Sequence, residues 1–517
     1  MSHEWSPYQE AIFKAIRESQ ENLVVVARAG AAKTTSLVEG LKHLPDPGSK
    51  TLLCAFNKAI QETLAERAPG YVEVKTLHSL GYGCCRQLGK VTLDKDKAYK
   101  VIKAITLDHH NTFATSDGVG KVKRLVGLAK NTMSGLVADP TDENAVLAAI
   151  GELIELAEEF DLDEEEYPAD KMAEIAVEIL AICQDMKSDA IRNQQGDVLL
   201  PLVDDKGNHL LDFDDMIWLP CVHELEPPHY RTVLVDELQD MNLPQLWIVK
   251  RALRAGGRFI GVGDEKQSIY RFRGAGVDVI PNMIQEFRAQ VLPLPITYRC
   301  PIAVVNQVKK LVPDLEARPN APQGLVTKCT IEHMVDQAQP GDFILSRKNA
   351  PLMGTCVALL RKYKPAVIAG RDIGKSLSDL ARKSKKRTTP EMLVWLEEFL
   401  RKERERLEAQ GKKRRAEYIA DKVMALMILS EGCGTVEAVV NRIEHLFRDD
   451  SPTGQILCST VHKVKGLEAT RVWLLADTFS FDDPQETNIY YVACTRSAGE
   501  LYMAYDPDYR KRFGRRF

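Results

Sequence analysis

The chain has 517 residues, of which 44% are hydrophobic and 27% are charged, a composition typical of a globular protein with several domains. No apolar run approaches the length that crosses a bilayer, and Met1–Ser6 lacks a secretory pattern, so we expect a protein without a membrane anchor. The net charge of -4 excludes a globally basic surface, so any nucleic-acid site must be a local basic groove. The cysteines are scattered without a C-x-x-C pair, which argues against a zinc ribbon or an iron–sulfur cluster and indicates a reducing compartment.

The first motif in the chain is a candidate phosphate-binding loop. A short β-branched run, Leu23–Val26, precedes the small-residue segment 27–35 (ARAGAAKTT), and an apolar helix is predicted to begin near Leu37. In such a strand–loop–helix unit, backbone N–H groups and the helix N-terminus hold phosphates. Lys33 is then placed to reach the β- and γ-phosphate oxygens, and Thr34 to bind magnesium. The alternative is an ordinary strand–helix turn with a surface lysine.

The glycine pattern of this loop is incomplete. Ala27 and Ala32 stand where the pattern G-x-x-x-x-G-K-T has glycine, which leaves only Gly30. A Cβ atom at Ala32 is expected to crowd a phosphate or to strain the turn. Upstream, Gln9 lies close enough in sequence to read adenine through its amide, although it is also a common type of residue at a helix N-terminus.

A second candidate motif is the segment Thr232–Asp240, which reads TVLVDELQD. Its apolar strand ends in Asp236 and Glu237. A parallel strand that carries carboxylates at its carboxyl end is where α/β proteins place a magnesium ligand and a water-activating base. The pattern alone is weak, because Asp-Glu often follows an apolar strand by chance.

Further motifs follow the phosphate loop along the chain. They are Phe56–Ala59, Val74–Ser79, Gly263–Ala275, Ile296–Pro301, Thr460–Glu468, Glu486 and Tyr490–Arg496. Taken with the phosphate loop and VDELQD, in which Leu238 replaces the usual aromatic residue, these segments resemble, in their order, the motifs of a superfamily 1A helicase of the UvrD/Rep type. Smaller features at 56–58, 78–79 and 370–374 resemble the F-box DNA helicase branch and its phage relatives more than UvrD itself.

The resemblance implies ATP hydrolysis in a site that two domains complete. It implies that Asp236 holds magnesium with Thr34 and that Glu237 is the general base. Gln267 would sense the γ-phosphate. Arg299 and Arg496 would act as arginine fingers, while Tyr298 would stack on adenine. The implied nucleotide-binding residues are Gln9, Gly30, Ala31, Ala32, Lys33, Thr34, Thr35, Tyr298 and Glu468.

The resemblance also implies a path for single-stranded nucleic acid. Aromatic side chains interleaved with hydroxyls and a cation suit a single strand, because any base can stack while the backbone is held. Taken singly, Phe56 and Phe272 could be core aromatics, His78 could be a loop histidine, and Thr460 and Glu468 could link the two sites. The implied residues are Phe56, Thr76, His78, Tyr270, Phe272, Arg273, Thr460 and His462.

The predicted fold is α/β, with two RecA-like parallel-sheet domains of the P-loop NTPase type, each carrying a mainly helical insertion. Apolar runs at Val24, Leu52, Val233 and Phe259–Val262 are expected to form the first sheet, and Phe343–Leu345 and Val472–Leu475 to belong to the second. The predicted domains are 1–84 with 197–277 for the first lobe, 85–196 for its insertion, 278–372 with 449–517 for the second lobe, and 373–448 for its insertion.

Several features of the insertions carry structural expectations. Helical spacing predicts one apolar face at Val122, Leu125, Val126 and Ala129, and another over 392–407. The acidic run 158–166 is expected to be a solvated helix edge, and the acids of 212–215 (DFDD) receive no chemical role. The basic runs 382–387 and 510–516 could touch duplex DNA or form a solvated surface.

These patterns predict an ATP- and magnesium-dependent DNA helicase that tracks along single-stranded DNA. The resemblance implies 3′→5′ movement and a role in replication, repair or recombination. We expect a monomer that acts at single-strand/duplex junctions, with replication or recombination proteins as possible partners, in the cytosol or nucleoid of a bacterial or phage-infected cell. The alternatives are a translocase that strips proteins from DNA and a nucleotide-gated DNA clamp with impaired hydrolysis. RNA is not excluded by residue type.

Overall fold

The computed structural model describes residues 4–46, 49–109, 111–160, 162–163, 167–269, 278–409, 413–448, 454–481 and 483–508. The chain forms two compact units. The first comprises Met1–Ala27 and Lys33–Leu294, and the second comprises Arg28–Ala32 and Pro295–Phe517. Each unit is built on an all-parallel sheet with helices packed against it, which confirms the predicted α/β class with two parallel sheets. No helix among the described residues has both the length and the apolar character to span a membrane.

Strands and helices alternate through much of the first unit, interrupted by four successive helices and then three successive strands. In chain order they are α1 (Pro7–Glu18), β1 (Leu23–Ala27), α2 (Lys33–Leu41), β2 (Thr51–Ala55), α3 (Lys58–Arg67), β3 (Val72–Thr76), α4 (Leu77–Cys85), β4 (Val91–Leu93), α5 (Lys97–His109), α6 (Ser116–Thr132), α7 (Glu143–Glu159), α8 (Ala169–Gln184), β5 (Ala190–Arg192), β6 (Val198–Pro201), β7 (His209–Leu211), α9 (Asp215–Val222), β8 (Tyr230–Val235), α10 (Leu243–Ala252), β9 (Leu253–Gly263), α11 (Val279–Phe287) and β10 (Gln290–Leu294).

The first sheet has six strands in the order β10-β1-β9-β8-β2-β3. The four apolar runs predicted for it lie in β1, β2, β8 and β9, which confirms them as strands of one sheet. The two edge strands, β3 and β10, were not predicted. The residues of β3 are largely half-exposed and include Glu73 and Lys75, and those of β10 are largely exposed and include Pro293, so neither has the pattern of a buried parallel strand. Since Leu23 of β1 pairs with Gln290 of β10, the first unit extends to Leu294. The sequence placed the boundary between the lobes at residues 277 and 278, which stays a prediction.

The helices α5 to α8, which lie in the predicted first insertion, pack around their own apolar core. Val122, Leu125, Val126 and Ala129 of α6 are all fully buried there, as their spacing predicted. Two small two-stranded sheets, β4 with β7 and β5 with β6, accompany the helices.

A cluster of buried charges fastens α5 and α6 to the start of α9. Lys130 Nζ lies 2.9 Å from Asp212 Oδ2 and 2.7 Å from Asp215 Oδ1, and Lys97 Nζ lies 2.6 Å from Asp215 Oδ2. The two aspartates also accept each other's backbone N–H groups. We call Lys97, Lys130, Asp212 and Asp215 the buried Lys–Asp cluster. The acids of 212–215, given no chemical role from sequence, thus have a structural one.

The second unit repeats the alternation of strands and helices. After Arg28–Ala32, its elements in chain order are β11 (Ile296–Thr297), α12 (Ile302–Val308), β12 (Glu316–Ala317), β13 (Leu325–Thr330), α13 (Ile331–Gln337), β14 (Phe343–Ser346), α14 (Asn349–Arg361), β15 (Ala366–Ala369), α15 (Arg371–Lys383), α16 (Thr389–Ala409), α17 (Lys413–Ser430), α18 (Val436–Leu446), β16 (Phe447–Arg448), β17 (Ile456–Thr460), β18 (Ala469–Leu475), α19 (Pro484–Cys494) and β19 (Ser497–Tyr505).

The second sheet has seven strands in the order β13-β19-β18-β14-β17-β15-β16. The two runs predicted for it lie in β14 and β18. The predicted apolar face of α16 is confirmed, because Met392, Leu396, Leu400 and Leu407 are buried. These side chains share one continuous core with β14, β17 and α14 of the sheet layer. Asp421 of α17 also caps α14, accepting the backbone N–H groups of the first two α14 residues at 2.7 and 2.8 Å.

Candidate functional site

The acidic motif lies at the carboxyl edge of the first sheet. Asp236 follows the last residue of β8 and is buried, and its Oδ2 accepts a hydrogen bond from Thr34 Oγ1 at 2.7 Å. Glu237 comes next, in the left-handed backbone region at φ +54°. Non-glycine residues rarely adopt this conformation, and strained residues of this kind concentrate at functional sites. The sharp turn gives the two neighbouring carboxylates different surroundings.

Lys33 places a cation beside these acids. The helix α2 begins at Lys33, earlier than the predicted start near Leu37, so the lysine stands in its first turn. Its Nζ lies 3.4 Å from Glu237 Oε1. Burial alone would lower the pKa of Lys33, but the charges of Glu237, Asp264 and Asp236 outweigh burial and raise the pKa above its ordinary value. The lysine is therefore held charged.

Asp236 has the surroundings of a ligand for a further cation. Burial is the largest cause that raises the pKa of Asp236, and the neighbouring charge of Glu237 is the next. Together they raise this pKa to about 6, although the charge of Lys33 lowers it. A hydroxyl and a carboxylate in contact, Thr34 and Asp236, are oxygen donors that suit Mg²⁺. No group of three or more His, Cys, Asp or Glu side chains forms a metal cage within the described residues. A magnesium ion here would complete its shell with water and phosphate oxygens, as Mg²⁺ commonly does.

A chain of hydrogen bonds leads from the acidic motif to Gln267. Gln239 Nε2 donates to Glu237 Oε2 at 2.6 Å, and Gln239 Oε1 accepts from the backbone N–H of Asp264 at 2.9 Å. Gln267 Nε2 in turn donates to Asp264 Oδ2 at 2.6 Å. Gly263 permits this approach, since a Cβ there would lie 2.7 Å from Gln239 Oε1. Sequence reasoning gave Gln239 and Asp264 no role, although both lie inside motifs it had identified.

The phosphate loop contains the strain that its sequence predicted. Ala32 has φ +58°, the left-handed conformation that a glycine adopts without a penalty, and Gly30 has φ +71°. Ala31 is buried, and its φ is not positive. At the end of the segment, Thr35 Oγ1 accepts a hydrogen bond from Arg67 Nη2 at 3.4 Å. The missing glycine thus falls at a position whose backbone favours glycine.

Ala32→Gly is expected to leave ATP hydrolysis intact or to raise it. The substitution relieves a left-handed alanine, worth about 1 kcal/mol, and this gain is partly offset by the greater freedom of glycine in the unfolded chain. Ala31→Gly is the matched control and should lower stability by about 0.5–1 kcal/mol, because it relieves no strain. Thermal unfolding and steady-state phosphate release measure both variants. A large loss of activity in Ala32→Gly would contradict this view of the loop.

Asp236→Asn is expected to raise the melting temperature of the nucleotide-free protein while it lowers ATP hydrolysis. Because the pKa of Asp236 is raised in the folded state, its contribution to stability is present at low pH and is lost as pH rises through about 6. An uncharged amide removes that loss, so the gain should appear at pH 8 and vanish near pH 4. Glu237→Gln should give a smaller gain, because it removes the repulsion of Asp236 but also removes the partner of Lys33. Melting curves of the wild type and of both variants, measured across this pH range, test the expectation.

The second unit holds Arg28–Ala32 closely. The carbonyl oxygen of Gly30 accepts the backbone N–H of Tyr298 at 2.8 Å. A Cβ at Gly30 would lie 2.5 Å from Thr297 Oγ1 and 2.7 Å from Arg299 Cβ, so only glycine fits there. Tyr298, predicted to stack on adenine, is half-buried beside this loop.

The two predicted arginine fingers have different surroundings within the second unit. The guanidinium of Arg299 pairs with Glu468 and donates to the carbonyl of Thr495 at 3.2 Å. Arg496 is almost fully buried and donates to the carbonyls of Val492 and Leu467 at 3.0 and 3.1 Å. Glu468, predicted as a nucleotide contact, is thus the ion-pair partner of Arg299.

Gln9 is engaged within the first unit. Its side chain accepts from the backbone N–H of Ser6 at 3.0 Å, forming a capping box at the start of α1, and its Nε2 donates to Ser36 Oγ at 2.9 Å. This is the helix N-terminal role that the sequence left open. The adenine-reading role stays a prediction.

The nucleic-acid candidates of the first unit lie at the same sheet edge as the acidic motif. Phe56 directly follows β2 and is 40% exposed, and Thr76 ends β3 and caps α4. Because Ala55 pairs with Thr76, these side chains are neighbours at the edge. His78 is the second residue of α4, and burial lowers the pKa of its imidazole. The centroid of its ring lies 6.5 Å from that of the exposed Phe213. The edge presents apolar and polar groups together.

The remaining candidates lie in the second unit or outside the described residues. Thr460 ends β17 and pairs in register with Ser346, and His462 follows in a short 3₁₀ turn. Both therefore lie at the carboxyl edge of the second sheet. The predictions for Tyr270, Phe272 and Arg273, and that for the basic tail 510–516, fall outside the described residues.

Comparison with known proteins gives similarity to bacterial helicases. The ATP-dependent DNA helicase Rep of Salmonella typhimurium is 41% identical over 103 residues, 18% of this chain and 15% of Rep. The ATP-dependent DNA helicase PcrA of Bacillus subtilis is 32% identical over 114 residues, 20% of this chain and 15% of PcrA. DNA helicase II of Haemophilus influenzae is 31% identical over 93 residues, 18% of this chain and 13% of that protein. The matched segments thus cover only about 15% of the length of these relatives.

Two family models account for much more of the chain. The model of the UvrD-like helicase C-terminal domain matches residues 455–504, which include Thr460, His462, Glu468 and Arg496. The model of the UvrD/REP helicase N-terminal domain matches residues 8–288, more than half of the chain, with the phosphate loop and the acidic motif inside the match. The chain therefore belongs to the UvrD/Rep helicase family.

Proposed function

We propose that the chain is an ATP- and magnesium-dependent motor that moves along single-stranded DNA, in the 3′→5′ direction, and separates the duplex. The observation that carries the proposal is the grouping of Lys33, Thr34, Asp236 and Glu237 at one sheet edge, with Gln239 and Asp264 connecting Glu237 to Gln267. Lysine, hydroxyl and paired carboxylates are the groups that phosphoryl transfer to water requires.

Each group has a proposed role. Lys33 neutralises charge on the β- and γ-phosphates, and the loop's backbone N–H groups cradle them. Thr34 and Asp236 hold Mg²⁺, which when bound would offset phosphate charge. Glu237 orients and deprotonates the attacking water. Gln267 senses the γ-phosphate through its bond to Asp264.

The remaining roles rest on the family resemblance. Arg299 and Arg496 are proposed to stabilise the transition-state charge, each after leaving its present partners. Tyr298 and Gln9 are proposed to hold adenine, and Glu468 to release Arg299 when nucleotide binds. We also propose the helical regions 85–196 and 373–448 as insertions of two RecA-like lobes.

The proposed DNA path follows the carboxyl edges of the two sheets. Phe56, Thr76 and His78 serve the first, and Thr460 and His462 serve the second, with Tyr270, Phe272 and Arg273 proposed from their motif. Side chains that stack on any base and grip the backbone suit a motor without sequence preference. Because the same edge of the first sheet carries Asp236 and Phe56, ATP hydrolysis and strand contact can be coupled over a short distance.

One experiment tests the proposed function directly. Purified protein is given 3′-tailed and 5′-tailed duplexes, in DNA and in RNA, with ATP and Mg²⁺, and strand separation is followed by fluorescence. We expect unwinding of the 3′-tailed DNA. Preference for the 5′ tail would overturn the proposed direction, and displacement of a bound protein without unwinding would indicate a translocase instead.

A nucleotide-gated clamp is the second candidate, favoured by the left-handed alanine at position 32. In this case ATP would alter DNA affinity without being hydrolysed. Phosphate release stimulated by single-stranded DNA would exclude the clamp, and DNA binding that depends on ATP in the absence of phosphate release would support it.

A further inference from the structure

The second residue of the phosphate loop is a buried arginine with an unusual attachment. Arg28 directly follows β1, and its side chain is only 8% exposed. Its Nε lies 3.0 Å from both carboxylate oxygens of Asp314, and its Nη2 lies 2.8 Å from Oδ2. Both residues belong to the second unit. An arginine that engages a carboxylate through two nitrogens fixes direction as well as distance.

The next two loop residues are attached to the same unit. The backbone N–H of Ala29 donates to the hydroxyl of Tyr491 at 2.8 Å, and the carbonyl of Gly30 accepts from Tyr298. Three successive residues, Arg28, Ala29 and Gly30, thus each have a polar contact with residues of 295–517. The following Lys33 opens α2 in the first unit. The loop's path before the lysine is therefore set by residues far away in the sequence.

From this geometry we propose that the Arg28–Asp314 ion pair is a positioning contact for ATP binding, which holds the phosphate loop in its binding shape. The inference rests on the proposed function in taking ATP as the ligand. It goes beyond that function in assigning a role to Arg28, at a variable position of the phosphate loop, and to Asp314, which lies outside the helicase motifs. Phosphates bind to backbone N–H groups only when those groups converge, so a loop held in shape binds with a smaller loss of conformational entropy. Losing the pair should weaken ATP binding and leave the chemical step nearly unchanged.

The different exposure of the two partners leads to an expectation for the salt dependence of nucleotide binding. Asp314 is 51% exposed, whereas Arg28 is nearly buried. A half-exposed ion pair is weakened by salt. The nucleotide affinity of the wild type should therefore fall with ionic strength more steeply than that of a variant without the pair.

The test uses Arg28→Ala, Asp314→Ala and the double variant in the full chain. Binding of a fluorescent, non-hydrolysable ATP analogue is titrated, and KM and kcat for ATP are measured with single-stranded DNA. We expect each single variant to raise the dissociation constant and KM roughly 5- to 20-fold, with kcat changed less than about twofold. The double variant should be no worse than either single one. The reversed pair, Arg28→Asp with Asp314→Arg, should recover part of the affinity.

The matched control is Arg471→Ala, which removes another arginine–aspartate pair of the second unit. Arg471 Nε lies 3.0 and 2.9 Å from the carboxylate oxygens of Asp342, between β14 and β18. This variant should lose stability without a change in nucleotide affinity. Because Arg28→Ala could also impair folding, Asp314→Asn, at a half-exposed residue, gives an independent reading and should weaken binding in the same direction.

The outcomes separate this inference from the proposed function. If the wild type binds no ATP analogue, the proposed function fails and takes the inference with it. If the wild type binds and the Arg28 and Asp314 variants bind equally well, only the inference is overturned. Additive losses in the double variant, a fall in kcat alone, or tighter binding in Asp314→Ala, which would make the released Arg28 a phosphate ligand, would also overturn it.

Discussion

Lys33→Ala is expected to reduce ATP hydrolysis stimulated by single-stranded DNA roughly 100- to 1,000-fold, the effect of removing one preorganised charge from a transition state. The lysine is buried 3.4 Å from Glu237, and the surrounding acids hold it charged. Steady-state phosphate release, with and without single-stranded DNA, measures the loss.

The control is an exposed lysine just beyond the end of the same helix. Lys42 pairs with Glu39 at 2.7 Å on the surface. Lys42→Ala should therefore hydrolyse ATP at the wild-type rate. Should the wild type hydrolyse ATP no faster than Lys33→Ala, the motor is excluded and the clamp becomes the better description.

Asp215→Asn is expected to destabilise the first unit by about 3–5 kcal/mol, because it leaves two buried ammonium groups with one carboxylate. Burial disfavours the charged form of Asp215, but Lys130 and Lys97 outweigh burial and lower its pKa to about 2. Its stabilising contribution is therefore present above the ordinary carboxyl pKa and is lost as pH falls towards 2. Urea unfolding at neutral pH measures the change, with hydrogen exchange in α6 to assign it to this unit.

The adjacent Asp214 supplies a matched control for this prediction. Burial, together with the charge of Asp212, raises the pKa of Asp214 to about 6, opposite in direction to the shift at Asp215. Asp214→Asn should therefore cause little loss at neutral pH, or a gain. Equal losses in the two variants would show that the buried Lys–Asp cluster does not carry the stability assigned to it.

The sequence predicted the parts of the fold that depend on local pattern. The buried parallel strands β1, β2, β8 and β9 were readable because strands covered on both faces are continuously apolar. The amphipathic helices α6 and α16 were readable from their spacing. The edge strand β10 was missed, because its pairing with β1 is not visible in the sequence and Pro293 is an unfavourable residue inside a strand.

The residues of the candidate site likewise divide into those that could be predicted from the sequence and those that could not. Lys33 lies in one motif, and Asp236 and Glu237 lie in another. Each motif follows a predicted strand of the same parallel sheet, so the proximity of these residues could be inferred from the sequence. The link from Gln239 to Asp264 requires two strand ends to approach at a particular distance, which Gly263 permits and no spacing reveals. The pairing of Arg28 with Asp314 joins residues almost three hundred positions apart. Arg28 occupies a variable position of the phosphate loop and Asp314 belongs to no motif, so the motifs do not reveal the pair.

The shared core of the second unit has a consequence for attempts to shorten this protein. Met392, Leu396 and Leu400 of α16 pack in the same apolar cluster as Ile344 and Cys458 of the sheet. Excising 373–448 and closing the gap with a linker would expose apolar surface on the second sheet, including β17, which ends at Thr460. We expect such a shortened chain to aggregate, and these helices could not be transplanted as an independent folding unit.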